Sequence, residues 1–543
     1  MKLFQQLLVA PAALGLLAPM AASAADLNLT DVQAYSSNGS ADQVTSINQF
    51  SDVRPTDWAY QALSNLIERY GCVAGYPDGT YRGGKAMTRY EAAALLNACL
   101  DRISEVTDEL KRLMKEFEKE LAVLRGRVDG LEARVGELEA NQFSTTTKLS
   151  GKATFVLGSN SYGGNYRTGL GAAAYSGFPV GSKYSDEAAA TNGATTFNYD
   201  VQLNFDTSFT GKDLLRTRLR AGNFANSAYF GNAPVGLTSL EAAFEENCGT
   251  GVDCGDVVAI NRLFYQFPIG SNFTATFGGR VRQDDMLALW PSVYPADTVL
   301  DIFTYAGAPG TYSLNLGAGG GLWWKSGDFS ISANYVSANG DVANPSEGGI
   351  GTSASAQTGT VQLGYGSANF GLAAAYTYSS GGAGLYGGNG TPLAVDGFFL
   401  ADSVNSVGIS GYWQPSNTGL IPSISAGWGI NSYNSSDDLA NFDSANSQSW
   451  YVGLQWSDAF IKGNALGMAV GQPTFIVNTG DSDFKANDGN YAWEWWYKFQ
   501  VTDNISVTPA LYYLSAPLGQ LQKDDGGSTF TNFGGLVKTT FKF

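Results

Sequence analysis

Asn532-Phe533-Gly534-Gly535-Leu536-Val537-Lys538-Thr539-Thr540-Phe541-Lys542-Phe543 ends the chain, and its reading decides the fold. At period two, Val537, Thr539, Phe541 and Phe543 share one face, with Lys538, Thr540 and Lys542 on the other. A strand of a membrane barrel needs an apolar outside, a polar inside and aromatics where the bilayer meets water. Phe541 and the terminal Phe543 supply such a C-terminal barrel signal. An amphipathic edge strand of a soluble sheet alternates in the same way, so the rest of the chain has to decide.

Working backwards from Phe543, the period stays at two as far as Leu149. Sixteen strand-like segments fall near 149–158, 195–208, 211–222, 257–268, 272–282, 312–325, 329–338, 359–366, 369–380, 404–414, 420–432, 447–457, 460–470, 491–502, 503–514 and 530–543. Short turns at Thr210-Gly211, Gly270-Ser271, Ser326-Gly327-Asp328, Ser367-Ala368, Ser457-Asp458 and Asp503-Asn504 alternate with loops of about fifteen to over thirty residues. Short turns on one side, long loops on the other and an even strand number predict an outer-membrane β-barrel of 16 antiparallel strands over residues 148–543. Trp493, Trp495, Tyr497, Phe499 and Val501 fall on one face, and Glu494, Lys498, Gln500 and Thr502 on the other; Trp450, Val452, Leu454 and Trp456 repeat the theme. A filled soluble barrel would reverse this pattern, and sixteen strands enclose a bore too wide for side chains to fill.

Composition agrees. Of 543 residues only 15% are charged, 13% are aromatic and 67 are glycine, and mean hydropathy is −0.10. No apolar run of 18 residues lies beyond the extreme N-terminus, which disfavours a helical membrane protein. The net charge of −17 argues against nucleic acid as a partner, and the absence of histidine removes imidazole catalysis and His-ligated metal. No enzymatic motif and no cofactor site is expected.

Residues 1–24 read as a signal peptide: Lys2, the apolar stretch Leu7 to Met20, then Ala22-Ser23-Ala24 as a cleavage site. A polar leader, 25–46, follows. Residues 47–105 read as helix, Gly-rich loop, helix, with Asp57 able to cap the first helix and Thr88 the second, Glu91 completing a capping box. Then Leu110, Met114, Phe117, Leu121, Leu124, Val128, Leu131, Val135 and Leu138 recur at spacings of four and three, a coiled-coil seam within 106–141. Gly126, Gly130 and Gly136 each cost such a helix up to about 1 kcal/mol relative to alanine, so partner strands are expected to stabilise it. A single amphipathic helix folded against its own domain is the alternative.

Phe50-Ser51-Asp52-Val53, Trp58-Ala59, Gly75-Tyr76-Pro77-Asp78-Gly79-Thr80-Tyr81 and Thr88-Arg89-Tyr90-Glu91 resemble an S-layer homology domain. The resemblance implies binding of peptidoglycan-linked polysaccharide. Arg89 would pair with an anionic sugar substituent, Trp58 would stack, Asp78 and Glu91 would shape the pocket, and Gly75, Gly79 and Thr88 belong to the same motifs. Tyr90 replaces the alanine commonest at its place. Three such units usually complete a binding bundle and only one is visible, so oligomerisation is implied.

Four cysteines in an exported chain form an even set, with three possible connectivities. Nearness in sequence favours Cys248 with Cys254 and Cys72 with Cys99.

Three arginines of the third segment, Arg216, Arg218 and Arg220, alternate with leucine and threonine, so all three would face the lumen if the leucines meet lipid. Arg280 and Arg282 would do the same opposite Phe277, Gly279 and Val281, with Arg262 joining them. An arginine on the lipid face near the midplane would cost roughly 2–4 kcal/mol. The third long loop, 283–311, is apolar yet carries Asp284, Asp285, Asp297 and Asp301. A constriction is expected with arginines on the wall and carboxylates on the loop; these groups could equally pair to brace the barrel.

All three regions together resemble the cyanobacterial outer-membrane porins that carry an S-layer homology domain, described as iron-uptake or carbohydrate-selective porins. That resemblance implies a homotrimer, with the seam from Leu110 to Leu138 as its stalk, in outer-membrane lipid with its N-terminal domains in the periplasm. It also implies passive diffusion of small hydrophilic solutes and ions. A structural tether with a poorly conducting barrel is the rival. The carboxylates are dispersed, so no dedicated iron site is expected.

Overall fold

The structure, a computed structural model, describes residues 46–57, 60–70, 80–81, 115, 117–118, 146–246, 255–435, 445–479, 486–523 and 529–543. The chain divides into two compact units, Met1–Gln142 and Phe143–Phe543.

In the first unit a short 3-10 turn, Ile47–Gln49, precedes helix α1 (Tyr60–Asn65), which continues as a π-helical turn, Leu66–Tyr70. Ile47, Phe50, Leu63 and Ile67 form its buried core. The Phe50 ring lies 5.6 Å from the Tyr81 ring, and the Tyr81 backbone N–H donates to Asp52 Oδ1 at 2.6 Å, so two sequence motifs far apart in the chain meet. The Asp57 carboxylate accepts from the Arg54 N–H at 2.7 Å, and its carbonyl accepts from Tyr60 N–H.

The second unit is a closed barrel in which every strand pairs antiparallel with its neighbours in sequence and β1 pairs with β16. The first eight strands are β1 (Thr147–Gly164), β2 (Thr196–Thr207), β3 (Leu214–Gly222), β4 (Ala259–Ile269), β5 (Phe273–Arg282), β6 (Leu316–Ser326), β7 (Phe329–Ser337) and β8 (Gln357–Gly366). The others are β9 (Phe370–Ser380), β10 (Ser403–Trp413), β11 (Ser423–Asn434), β12 (Asn446–Ser457), β13 (Ala465–Asn478), β14 (Tyr491–Thr502), β15 (Ile505–Ser515) and β16 (Phe530–Lys542). Turns 208–213, 270–272, 327–328, 367–369, 414–422, 458–464 and 503–504 lie at one end. Loops L1 to L8 (165–195, 223–258, 283–315, 338–356, 381–402, 435–445, 479–490 and 516–529) lie at the other. L1 carries helices α2 (Leu170–Ser176) and α3 (Tyr184–Asn192), and L5 carries α4 (Pro392–Leu400).

Alternation sets inside from outside. In β9, Phe370, Leu372, Tyr376 and Tyr378 are exposed while Ala373, Ala375, Thr377 and Ser379 are buried. In β8 Val361 and Leu363 face out, and Thr360 and Gln362 face in. Large apolar side chains outside and hydroxyls inside invert a soluble core, as hydrocarbon surroundings require. Phe273, Phe329, Phe370, Trp413, Phe499 and Phe543 are exposed at the turn ends of their strands, forming the aromatic girdle of one interface. β16 follows the expected parity: Val537 and Phe543 are exposed, and Lys538 and Thr540 are buried in the interior.

Strand limits differ from the sequence reading where backbone dihedrals intervene. β6 begins at Leu316, not 312, because Leu314 takes a positive φ of 54°. Likewise β13 starts at Ala465, after a turn with positive φ at Asp458, Phe460 and Gly463, and it runs on to Asn478. L7 is therefore shorter than the fifteen residues expected of every loop, and L6, between β11 and β12, is shorter as well.

At the loop end Asp488 of L7 joins three loops. Its carboxylate accepts from the Thr391 hydroxyl of L5 and from the backbone N–H groups of Ile476 and Gln520, the last in L8. Burial, against these hydrogen bonds, raises its pKa from 3.8 to about 6. Between those values the folded chain holds a proton that the unfolded chain has lost. The stabilisation is thus fully present below about pH 4 and is lost as pH rises through about 6. Hydrogen exchange at L5, L7 and L8, corrected for intrinsic rates, is expected to speed up between about pH 4 and 6, and Asp488→Asn is expected to abolish that dependence.

Candidate pore constriction

L3 does not stay at the rim; its polar groups are spent on the inner wall. Gln283 pins both ends of the loop, donating to the Thr311 carbonyl at 2.9 Å and accepting from Leu314 N–H at 3.0 Å. Hydroxyls of inward small residues then hold the loop backbone. Ser332 of β7 accepts from Ala288 N–H, and Ser425 of β11 accepts from Val293 N–H and Tyr294 N–H. Thr377 of β9, Ser410 of β10 and Ser449 of β12 donate to the carbonyls of Thr311, Ala306 and Gly307. Glu494 of β14 takes the Tyr294 hydroxyl and the Leu300 N–H, each at 2.7 Å. From β16, Lys538 donates to the carbonyls of Asp297 and Thr298.

Glycines make room for this path. A Cβ at Gly427 of β11 would overlap the Ala306 carbonyl oxygen, and at Gly429 and Gly408 it would lie 2.9 Å from Ala308 Cβ. At Gly453 of β12 it would meet the Tyr294 ring at 2.7 Å. Tyr294, Val299, Leu300, Ile302 and Phe303 are buried with Tyr451, Trp496, Tyr512 and Leu536, which accounts for the apolar character of the loop.

The wall of β2 to β5 carries the guanidiniums. Arg216 forks onto Asp206 through Nε at 2.8 Å and Nη2 at 2.7 Å, and Arg220 Nε meets Asp200 at 2.6 Å. Arg262, 2% exposed, reaches Asp285 at 2.8 Å, and Arg282 reaches Asp284 at 2.5 Å. Burial disfavours charge on Asp284, yet Arg282 and Arg262 hold its pKa below the usual value. Arg218 differs: its Nε donates to the neutral Asn204 at 2.6 Å, and among the described residues it forms no ion pair. It is the uncompensated cation of the group.

Several expectations are corrected. The parity of β5 breaks at a bulge between Gly278 and Val281, so Val281 is buried with Phe264, Met286 and Val336 instead of facing lipid. Arg280 pairs in register with the exposed Leu263 and stands apart from the other arginines, 3.9 Å from Glu246. A bulge leaves no trace in a period-two count. Asp284 and Asp285 do not stand across the bore from the guanidiniums; they neutralise two of them directly. Asp297 lies on the far wall, where burial opposes its charge but Lys538, Lys152, Lys542 and Lys498 hold its pKa down. Asp301 is bonded by the Tyr305 and Tyr386 hydroxyls, and burial lifts its carboxyl to about 6. The sequence reading missed Asp200, Asn204 and Asp206, whose alternation with Val201, Leu203 and Phe205 in β2 was a usable signal.

The remaining candidates fall elsewhere. Trp58, Gly75, Asp78, Gly79, Thr88, Arg89 and Glu91 lie outside the described residues, as do Cys72, Cys99, Cys248 and Cys254. Of the seam, only Phe117 is described, half-buried at a bend; Leu110, Met114, Leu121, Leu124, Val128, Leu131, Val135 and Leu138 are not. No group of three or more Asp, Glu, Cys or His among the described residues is placed to hold a metal ion.

A closed sixteen-strand barrel with an apolar outer face, and a third loop lying on its inner wall, defines an outer-membrane porin. Residues 105–543 match the model of the carbohydrate-selective porin OprB family, and residues 49–93 match the S-layer homology domain. The chain belongs to the OprB family of porins and carries an S-layer homology domain. An uncharacterised protein of Nostoc sp. is 35% identical, the match covering 95% of this chain and 88% of that one. Another, of Synechocystis sp., is 30% identical over 92% of this chain and 91% of its own. The structure of Pseudomonas putida OprB aligns with 75% of this chain and 96% of its own at 13% identity and a TM-score of 0.46.

Proposed function

We propose that this porin is a passive diffusion channel for small hydrophilic solutes and inorganic ions, with L3 and the arginine wall forming its narrowest part. The observation that supports this best is the course of L3: fastened to the inner faces of β7, β9 to β12, β14 and β16, it leaves the guanidiniums of β3 and β4 on the opposite arc of the bore. Sugars fit the family description, and iron could pass only as small inorganic ions, there being no dedicated iron site in this reading. The S-layer homology domain supports attachment to peptidoglycan-linked polysaccharide, and a single unit per chain supports a homotrimer.

The apolar packing of Tyr294, Leu300 and Phe303 against the wall also favours a second reading, a wall tether whose barrel conducts little. Liposome swelling separates the two: proteoliposomes should swell in arabinose and glucose and progressively less in larger sugars, whereas a tether would give no swelling with any. Arg218→Ala removes a charge without orphaning a carboxylate. It is expected to shift the reversal potential in a salt gradient toward cation preference, while an unchanged potential would remove Arg218 from the constriction.

A further inference from the structure

On the turn side of L3, four lysines converge that the arginine wall does not use. Lys152 of β1 and Lys542 of β16 are register partners, Lys538 sits two inward positions further along β16, beyond Thr540, and Lys498 lies on the inward face of β14 with Glu494. The charge of all four acts on the Asp297 carboxylate, and Lys498 and Lys538 line one cavity with it. There, a cavity between residues 295–299 of L3 and the turn-side ends of β14 to β16 is lined by Lys498, Lys538, Ser506, Thr508, Thr540 and Gln455. Lys152, Lys498 and Lys542 form no ion pair among the described residues. Against four ammonium groups stand three carboxylates: Asp297, Glu241, which acts on Lys538, and Glu494, which is committed to Tyr294 and Leu300. Within a chain of net charge −17, this corner of the bore is positive.

We propose that this cavity is a binding site for a small multivalent oxyanion of the inorganic phosphate class. Ammonium groups are point charges suited to phosphate, and the Ser506, Thr508 and Thr540 hydroxyls add three donors on adjacent strands, enough to surround a tetrahedral anion. A neutral sugar gains little from unpaired ammonium groups, and chloride lacks the several oxygens that could accept from ammonium groups and hydroxyls at once. The site rests on the channel reading only for how its ligand arrives.

The test is equilibrium binding of radiolabelled inorganic phosphate to the full-length protein in detergent, beside single-channel recording of the same preparation. Saturable binding is expected. Lys498→Gln should weaken it about tenfold, as for loss of one charge-assisted hydrogen bond, and combining Lys152→Gln and Lys542→Gln with it should abolish binding. Lys538 stays intact because it also holds L3. Single-channel conductance of the variants should remain near the parent's, showing an assembled barrel; if the triple variant does not assemble, Lys498→Gln alone decides. Phosphorylated lipid headgroups, whose tails cannot enter the lumen, should not compete. Absence of saturable binding by the parent, equal binding by parent and variants, or competition by headgroups would overturn the site. A parent that binds phosphate but passes no current would overturn the channel and leave the site, and one that conducts but binds none would do the reverse.

Discussion

Gly427→Val is expected to raise single-channel conductance about twofold or more while leaving the barrel assembled. Its side chain would occupy the space of the Ala306 carbonyl oxygen, backbone that cannot move without the rest of L3. The same displacement breaks the bond from Ser410 to Ala306 and loosens that from Ser449 to Gly307. Displaced from these anchors, L3 no longer fixes the constriction, and a sixteen-strand barrel not narrowed by such a segment encloses a wide aqueous channel. Gly279→Val is the control, since a Cβ there meets nothing within 4 Å. Equal conductance in parent and Gly427→Val, recorded at the same salt, would show that L3 does not set the bore.

The second large effect concerns closure. Phe543 N–H donates to the Gly151 carbonyl at 3.0 Å, Gly151 N–H donates back at 2.6 Å, and the Phe543 ring covers the place where a side chain at 151 would be. Removing Phe543 or changing Gly151 to leucine therefore attacks the β1 to β16 seam from either side. An open seam would leave strand edges in hydrocarbon, where each unsatisfied backbone group costs several kcal/mol. Deletion of Phe543 is expected to cut the yield of heat-modifiable, protease-resistant barrel at least tenfold, with Gly151→Leu following in the same direction. Full yield in both variants would mean that the seam closes without this contact.

The barrel was legible because each strand faces two solvents, and alternation at period two records that directly. In β16 the reading and the structure agree at Val537, Lys538, Thr540 and Phe543. What escaped it was written in backbone dihedrals and long-range pairing. The bulge in β5 turned Val281 inward and detached Arg280, and positive φ at Leu314 and Phe460 delayed β6 and β13. At the constriction the arginines of β3 were found by parity, whereas their partners Asp200, Asn204 and Asp206 depend on the register between β2 and β3. That register is fixed by the 208–213 turn, where Asp213 accepts from Thr210 N–H and from Tyr265 on the neighbouring strand. Only the course of L3 explains the glycines at 408, 427, 429 and 453.

Single-channel recording of the full-length protein in a planar bilayer tests the central claim most directly. Discrete, long-lived current steps in potassium chloride, enlarged by Gly427→Val and altered in ion preference by Arg218→Ala, are expected. A folded, membrane-inserted protein that yields no steps, in the parent and in Gly427→Val alike, would contradict an aqueous bore narrowed by L3.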